Sequence, residues 1–360
     1  MRAAVLGAGA MGSALVTPLR DAGHDVALWG TWLDGDALDA LRRGAPHPGT
    51  GVALADGATL FDGRGPDDLA AALDGAEVVF LAVSSSGFVP VLECALPLLP
   101  AGAPVAVLTK GFADPAELGA GPGAPVLLPD ALRALAGRGG HPEPRVVAVA
   151  GPCKANEVAA RRPTATVFGS RDAALAAELA RALRTDAYRA RPSGDEPGVE
   201  VCAALKNVYA IALGIADGLT DAAAGDGAAG EPWHDLRAAT FAQAVRELVV
   251  ATDAAGGDPA TPVGLAGVGD LEVTGLSGRN KVFGARLGGG ERPAAALAAM
   301  AAAGKLVEGV PAARSALRRV GERGDDFPLL HALGDLLERD VTPATDAAAR
   351  GRLVDAVLPE

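Results

Sequence analysis

Four places in the 360-residue sequence put reactive or anion-binding groups at meaningful spacings. The first is Gly7-Ala8-Gly9-Ala10-Met11-Gly12, which follows an apolar run and opens a helical one. There Gly7 makes a tight turn, Gly9 lets backbone approach a pyrophosphate, and Gly12 lets helix and strand pack closely. Ala10 and Met11 begin the helix whose unpaired N–H groups would meet the anion. A glycine-rich turn is the plain alternative, but the position after a first strand favours a dinucleotide site. The second place is Lys206, with Asn207 beside it, amid Val199, Cys202, Ala203, Ala210 and Leu213 at three- and four-residue spacing. A lysine on such a stripe must snorkel out, pair with an acid, or line a cleft. The small neighbours favour the cleft. Desolvation favours its neutral form, which can take a proton from an alcohol.

The third place, Gly264–Gly284, carries six glycines and, near its end, Arg279-Asn280-Lys281. Glycine-rich backbone beside Arg and Asn at a helix start suits a phosphate or an oxyanion, and equally an exposed basic loop. The fourth is Lys110-Gly111, at the end of a strand candidate. Ligands of open α/β sheets sit beyond the carboxyl ends of strands, which would put this lysine in the cofactor crevice.

The elements that must position these groups fall into two halves. Short continuous apolar runs at Ala3–Leu6, Val26–Trp29, Val78–Val83, Val105–Leu108, Val146–Val149 and Ala165–Phe168 read as strands covered on both faces. Helical segments such as Pro66–Leu73 and Asp172–Leu183 lie between them. The expectation is an α/β Rossmann-type N-terminal domain with a mostly parallel sheet over residues 1–192. An all-helical C-terminal domain follows over 193–360, with helices at Gly198–Asp217, Asp235–Ala254, Pro293–Ala303, Pro311–Arg323 and Leu329–Arg339. Arg191–Gly198 reads as the linker, and Asp217–Pro232 as a surface loop.

Composition narrows the partners. A net charge of -12 gives no global footprint for nucleic acid or an anionic membrane, so an anionic ligand needs a local cationic pocket. Three widely spaced cysteines, Cys94, Cys153 and Cys202, fit neither a disulfide framework nor a zinc site, and no metal is expected. A reducing cytoplasm suits them. The uncharged run after Arg2 is broken by glycines, so it reads as strand and helix and not as a leader. No charge-free run reaches the length of a membrane span. The acid often found at the second strand end for a ribose hydroxyl is missing from Trp29-Gly30-Thr31, and so is an arginine for a 2′-phosphate. NAD and NADP stay equally open.

Together these pieces resemble the NAD(P)-dependent sn-glycerol-3-phosphate dehydrogenase family. The resemblance runs through GAGAMGSAL (Gly7–Leu15), TKGF (Thr109–Phe112), GPCKANEVA (Gly151–Ala159), GVEVCAALKNVYAIALGIADGL (Gly198–Leu219), GLAGVGDLEVT with SGRNKVFG (Gly264–Gly284), VEGV (Val307–Val310) and FPLL (Phe327–Leu330). It covers most of the chain in order, while Asp34–Gly65 diverges. It implies a Rossmann-type domain followed by a helical one, an NAD or NADP cofactor, and a small phosphorylated substrate. Lys206 is implied as the catalytic lysine, with Lys110, Asp270 and Thr274 around the reacting carbon. Arg279 and Asn280 are implied as a phosphate clamp. Gly151, Cys153, Asn207 and Gly278 fall at the substrate. Ala155, Arg279, Leu306 and Glu308 match positions that approach the dinucleotide. Members often form dimers, so a homodimer is an option.

Departures concern the substrate. Cys153 replaces a serine, Lys154 stands where an aromatic is usual, and Gly278 replaces a frequent serine. A longer loop ends Trp233-His234-Asp235-Leu236-Arg237, and Gln243 stands where an arginine is usual. The expected activity is interconversion of sn-glycerol 3-phosphate and dihydroxyacetone phosphate. The alternative is a paralogue using another phosphorylated polyol or ketose. A non-catalytic dinucleotide sensor is disfavoured by retention of Lys206, Asp270, Thr274, Arg279 and Asn280.

Overall fold

The computed structural model describes residues 1–65, 67–224, 234–321 and 323–358, and its contacts divide the chain into units Met1–Glu200 and Val201–Glu360. The strands are β1 (Arg2–Leu6), β2 (Asp25–Gly30), β3 (Ala58–Asp62), β4 (Val78–Leu81), β5 (Val105–Val107), β6 (Phe112–Ala113), β7 (Val126–Leu127), β8 (Val146–Ala150), β9 (Thr164–Gly169) and β10 (Tyr188–Ser193). The helices of the first unit are α1 (Ala10–Asp21), α2 (Gly35–Arg42), α3 (Asp68–Leu73), α4 (Ser85–Ala95), α5 (Leu128–Arg138), α6 (Ala155–Ala159) and α7 (Ala173–Ala182), followed by the start of α8 (Glu196–Ala224).

Eight strands form one sheet in the order β10-β9-β8-β5-β4-β1-β2-β3, with β6 and β7 paired separately. Every neighbouring pair of the large sheet is parallel except β8–β9. Alternate residues of one strand enter opposite cores. Ala3 and Val5 of β1 pack in a cluster with Leu15 and Leu19 of α1, whereas Ala4 and Leu6 pack with Leu69, Phe88 and Leu132. Both faces of β1 are therefore buried, which is why its sequence is apolar throughout.

The structure corrects several expectations. Two more strands, β3 and β10, extend the sheet at its two edges. Both are half-polar, and edge strands need no continuous apolar run. The expected linker Arg191–Gly198 is no linker. Its first residues complete β10, with Ser193 opposite Gly169, and Glu196 already belongs to α8. Of the expected loop 217–232, residues 217–224 continue α8, and the remainder lies outside the described residues. The helix expected from Pro66 runs from Asp68, and Pro66 itself is outside the described residues.

The second unit holds most of α8, then α9 (His234–Ala254), α10 (Asp270–Leu276), α11 (Arg279–Gly288), α12 (Pro293–Ala302), α13 (Gly309–Val320), α14 (Pro328–Glu338) and α15 (Ala347–Asp355), with no strand among its described residues. Helix α8 is apolar and long enough to cross a bilayer, but its most apolar stretch is entirely buried within the chain. It makes an unusually close crossing with α11. Methyl groups added at Gly214 or Gly218 would strike the backbone of Lys281 or Ala285, and at Gly284 or Gly288 that of Ile211 or Ile215. Glycines four apart on each helix thus let the two backbones touch. A second tie is Glu247 of α9, which accepts the Tyr209 hydroxyl (2.9 Å), the Gln243 side-chain amide (2.9 Å) and the free N–H groups of Leu329 (2.7 Å) and Leu330 (3.1 Å) at the start of α14. Burial pushes the Glu247 carboxyl up, and these four donors partly counter it.

Candidate active site

In the N-terminal unit the glycine loop lies at the carboxyl end of β1. Gly7 has φ +108°, and a Cβ there would sit 2.7 Å from the Ala82 carbonyl oxygen. A Cβ on Gly12 would overlap the Gly7 carbonyl oxygen. Gly9, by contrast, has nothing within 4 Å of a would-be Cβ and caps α1 without a side-chain hydrogen bond. The half-buried Ala10 and Met11 open α1 with no capping side chain, beside the open space at Gly9, which fits a dinucleotide's pyrophosphate. Lys110 follows β5 and Gly151 follows β8, so they share this carboxyl edge of one parallel set of strands. The Thr109 hydroxyl donates to the Val83 carbonyl (3.0 Å) and ties the turn before Lys110 to the end of β4.

Two braces of the loop have no signature in the sequence. The Ala8 carbonyl accepts from Nε2 of the buried His47 (2.9 Å), whose Nδ1 accepts from Gly49 N–H (2.9 Å). These partners fix the ring as the neutral Nε2–H tautomer. Asp34 takes the Ala8 N–H (3.2 Å) and both the N–H and hydroxyl of Thr31 (2.8 Å each), all on Oδ2. An acid does reach the end of β2, four residues beyond the strand, because the chain folds back there. Both braces come from the stretch 34–65 that follows β2. A histidine or aspartate in a polar loop gives no periodic signal, so spacing alone does not mark them.

Ala155 begins α6 after the Gly151 turn. Cys153 packs against the core that holds α1, next to the Tyr188 hydroxyl. Burial, with this thiol adjacent, pushes the Tyr188 phenol well up.

In the C-terminal unit, Lys206 is 8% exposed and its ammonium contacts the carboxylate of Asp270, itself 1% exposed. Of the three fates open to this lysine, the structure shows pairing. Asp270 opens α10 directly after a π-helical turn at Leu265–Gly269, closed by Gly269 N–H to the Gly264 carbonyl (3.1 Å). Such turns insert a residue and re-aim the side chains beyond it. The Thr274 hydroxyl donates to the Asp270 carbonyl (2.6 Å), one turn on.

Asn207 and Asn280 are both buried and meet at Gly309. The Asn280 Oδ1 accepts the Gly309 N–H (2.9 Å), which fixes the amide's orientation and leaves its NH2 as donor. A Cβ on Gly309 would lie 2.5 Å from the Asn207 carbonyl oxygen. Arg279 stands at the start of α11 after Gly278 (φ +153°), with its side chain 53% exposed and 3.9 Å from Glu308. Leu306 is exposed on the segment that leads to Glu308. Behind them Asp217 bridges Lys281 (3.1 Å) and Arg237 (3.3 Å), so Lys281 is turned into an internal pair. Gln243 belongs to the Glu247 cluster.

Residues 2–176 match the N-terminal model, and 195–347 the C-terminal model, of NAD-dependent glycerol-3-phosphate dehydrogenase. An NADP(+)-dependent glycerol-3-phosphate dehydrogenase of Archaeoglobus fulgidus is 33% identical over 92% of this chain and 94% of its own. A glycerol-3-phosphate dehydrogenase [NAD(P)+] of Xanthomonas campestris pv. campestris is 33% identical over 94% and 91%. The crystal structure of glycerol-3-phosphate dehydrogenase from Coxiella burnetii superposes with a TM-score of 0.80 at 28% identity, covering 98% of each chain. With both halves matched and relatives aligned along nearly its whole length, the chain belongs to the NAD-dependent glycerol-3-phosphate dehydrogenase family of oxidoreductases.

Proposed function

We propose that this protein interconverts sn-glycerol 3-phosphate and dihydroxyacetone phosphate, with NAD or NADP as cofactor and Lys206 as the group that moves the hydroxyl proton. The observation that carries this reading is the buried Lys206–Asp270 pair. A bound nicotinamide supplies or accepts the hydride. In the reducing direction the Lys206 ammonium donates a proton to the carbonyl oxygen that becomes the hydroxyl. In the oxidising direction its amine takes that proton back. Asp270 holds the ammonium in place, and Thr274 steadies the first turn of α10. Lys110 offsets negative charge on the substrate.

Arg279 supplies paired donors to the phosphate, and Asn280 adds its side-chain NH2. Asn207, Gly151, Cys153 and Gly278 shape the substrate's surroundings. Gly7, Gly9, Ala10, Met11 and Gly12 cradle the cofactor phosphates, with Lys110, Ala155, Arg279, Leu306 and Glu308 along the rest of the dinucleotide. Residues 1–192 then serve as the dinucleotide-binding domain and 193–360 as the catalytic domain. Another phosphorylated polyol would need altered substrate contacts. Gln243, one of the departures, is hydrogen-bonded to Glu247 inside the helical unit, which favours the common substrate.

Purified protein given dihydroxyacetone phosphate should oxidise NADH or NADPH, read by nicotinamide absorbance. Absence of turnover with both, in protein that binds the cofactor, would overturn the assignment and move the search to other polyol phosphates.

A further inference from the structure

The turn that follows β2 presents an acid with one oxygen fixed and the other free. The Asp34 N–H donates to the Thr31 carbonyl (3.0 Å), closing a four-residue turn with Trp32 and Leu33 at its corner. Its Oδ2 accepts the Thr31 N–H and hydroxyl and, from the glycine loop, the Ala8 N–H. Oδ1 accepts no hydrogen bond among the described residues and is not sealed from solvent. The carboxylate is therefore anchored by one oxygen and offers the other beside the glycine loop. Its surroundings favour a hydroxyl over a phosphate. Trp32 and Leu33, 45% and 81% exposed, present apolar surface. Arg64 lies over the start of α2, 3.2 Å from a would-be Cβ on Gly35, but its Nε donates to Asp62 (2.8 Å) and Asp39 stands 3.6 Å from its guanidinium. Arg42 is shared between the same two acids, at 3.3 Å from Asp39 and 3.0 Å from Asp62.

We propose that Asp34 is the residue by which this protein selects NAD over NADP: its free carboxylate oxygen accepts an adenosine-ribose hydroxyl and repels a 2′-phosphate. This rests on the reading of the glycine loop as the cofactor's phosphate site. A ribose hydroxyl can donate to an ionised carboxylate, and a charge-assisted bond of that kind is stronger than a neutral one. A 2′-phosphate replaces the donor with acceptor oxygens and brings about −1.5 to −2 charges at neutral pH. The nearby arginines are already engaged by Asp39 and Asp62, so the repulsion goes uncompensated. Nor can the carboxylate swing aside, since doing so would release both Ala8 and Thr31.

Fluorescence titration of the full-length protein with NADH and with NADPH gives two Kd values and needs neither turnover nor a polyol substrate. NADH should bind about tenfold more tightly or better, the effect of setting like charges together. Asp34→Asn keeps an oxygen for Ala8 and Thr31 and turns the free acceptor into an NH2 donor. It should shrink the ratio of the two Kd values by about fivefold or more, weakening NADH and strengthening NADPH. His47→Ala loosens the same Ala8 peptide but removes no group proposed to meet the ribose, so its ratio should stay within about twofold of the parent's. A bracing role alone would weaken both cofactors alike, so an unchanged ratio in the asparagine variant overturns the proposal. Equal affinities in the parent, or tighter NADPH, also overturn it, and they decide the matter should the asparagine variant fail to fold. Binding of neither cofactor would remove the dinucleotide reading and this inference together, whereas binding of both without preference removes this inference alone.

Discussion

The two units build their candidate sites from different materials. In the N-terminal unit the glycine loop offers backbone N–H groups and open space beside Gly9, and the side chains that brace its Ala8 peptide are Ser13 of α1, His47 and Asp34. In the C-terminal unit the candidate groups are side chains, Lys206, Asp270, Thr274 and Asn280, each with a partner in the structure. Glycine also works differently in each. At Gly7 it supplies a backbone angle that other residues avoid. At Gly214, Gly218, Gly284 and Gly288 it supplies closeness between two ordinary helices. A site made of backbone tolerates changes of side chain around it and fails when the loop's shape changes. A site made of side chains fails residue by residue.

That contrast can be broken by mutation. Lys206→Ala should lower kcat by about 10³-fold, within the span usual for a lost proton-transfer group. The Kd for NADH, measured by fluorescence titration, should stay within about threefold. A large loss of cofactor affinity instead would mean that the two sites are not separable in this way. Gly284→Ala should come next. It drives a methyl into the Ile211 carbonyl and should destabilise the fold by about 2–3 kcal/mol, the ordinary cost of overpacking. Denaturant unfolding reads this, and an unchanged midpoint would show that the α8–α11 contact yields easily.

Arg279→Ala should raise the KM for dihydroxyacetone phosphate by about 10–100-fold, the value of one or two charge-assisted hydrogen bonds, with a smaller change in kcat. His47→Ala should weaken NADH binding by about 3–10-fold while sparing the substrate KM, because it loosens one of the bonds on the Ala8 peptide. A selective effect on substrate would reverse the proposed division of labour.

The smallest effect concerns pH. Burial pushes the Glu200 carboxyl well above the ordinary 4.5 in the folded chain, so the folded state binds the extra proton. Its stabilising share is complete below that ordinary value and is lost as pH rises from there toward the folded-state value. Glu200→Gln carries no titrating group and should flatten the decline of Tm over this interval. An identical slope in both proteins would place the titration elsewhere.

The parts of the molecule legible in the sequence are those with a period or a fingerprint. β1, β4 and β8 are buried on both faces, and their apolar runs announce them. Gly7, Gly9 and Gly12 announce the loop because each replaces a Cβ that would collide or would close the approach. Lys206 stands out as a charge on an apolar stripe, though its partner Asp270 comes only through the family resemblance, since sixty-four residues separate them. β3 and β10 are hidden because edge strands need only one good neighbour. The π-helical turn before Asp270 is hidden because an inserted residue breaks the very spacing by which a helix is recognised. Glu200 is hidden for another reason: a glutamate near a helix start looks like an ordinary exposed acid, and only packing reveals that it has lost its water.

The braces on Ala8 bear on any effort to change the cofactor that this protein uses. Residues 34–65 look like the natural cassette for exchange, since they follow the second strand of the glycine-loop unit. Replacing them as a block would also remove Asp34 and His47, and with them two bonds on the Ala8 peptide of the glycine loop. A graft would then lose affinity for both nicotinamide cofactors before it gained selectivity for either. Grafts that retain His47, keep an acceptor at position 34 and alter only the residues between them hold the loop's scaffolding while its clientele changes.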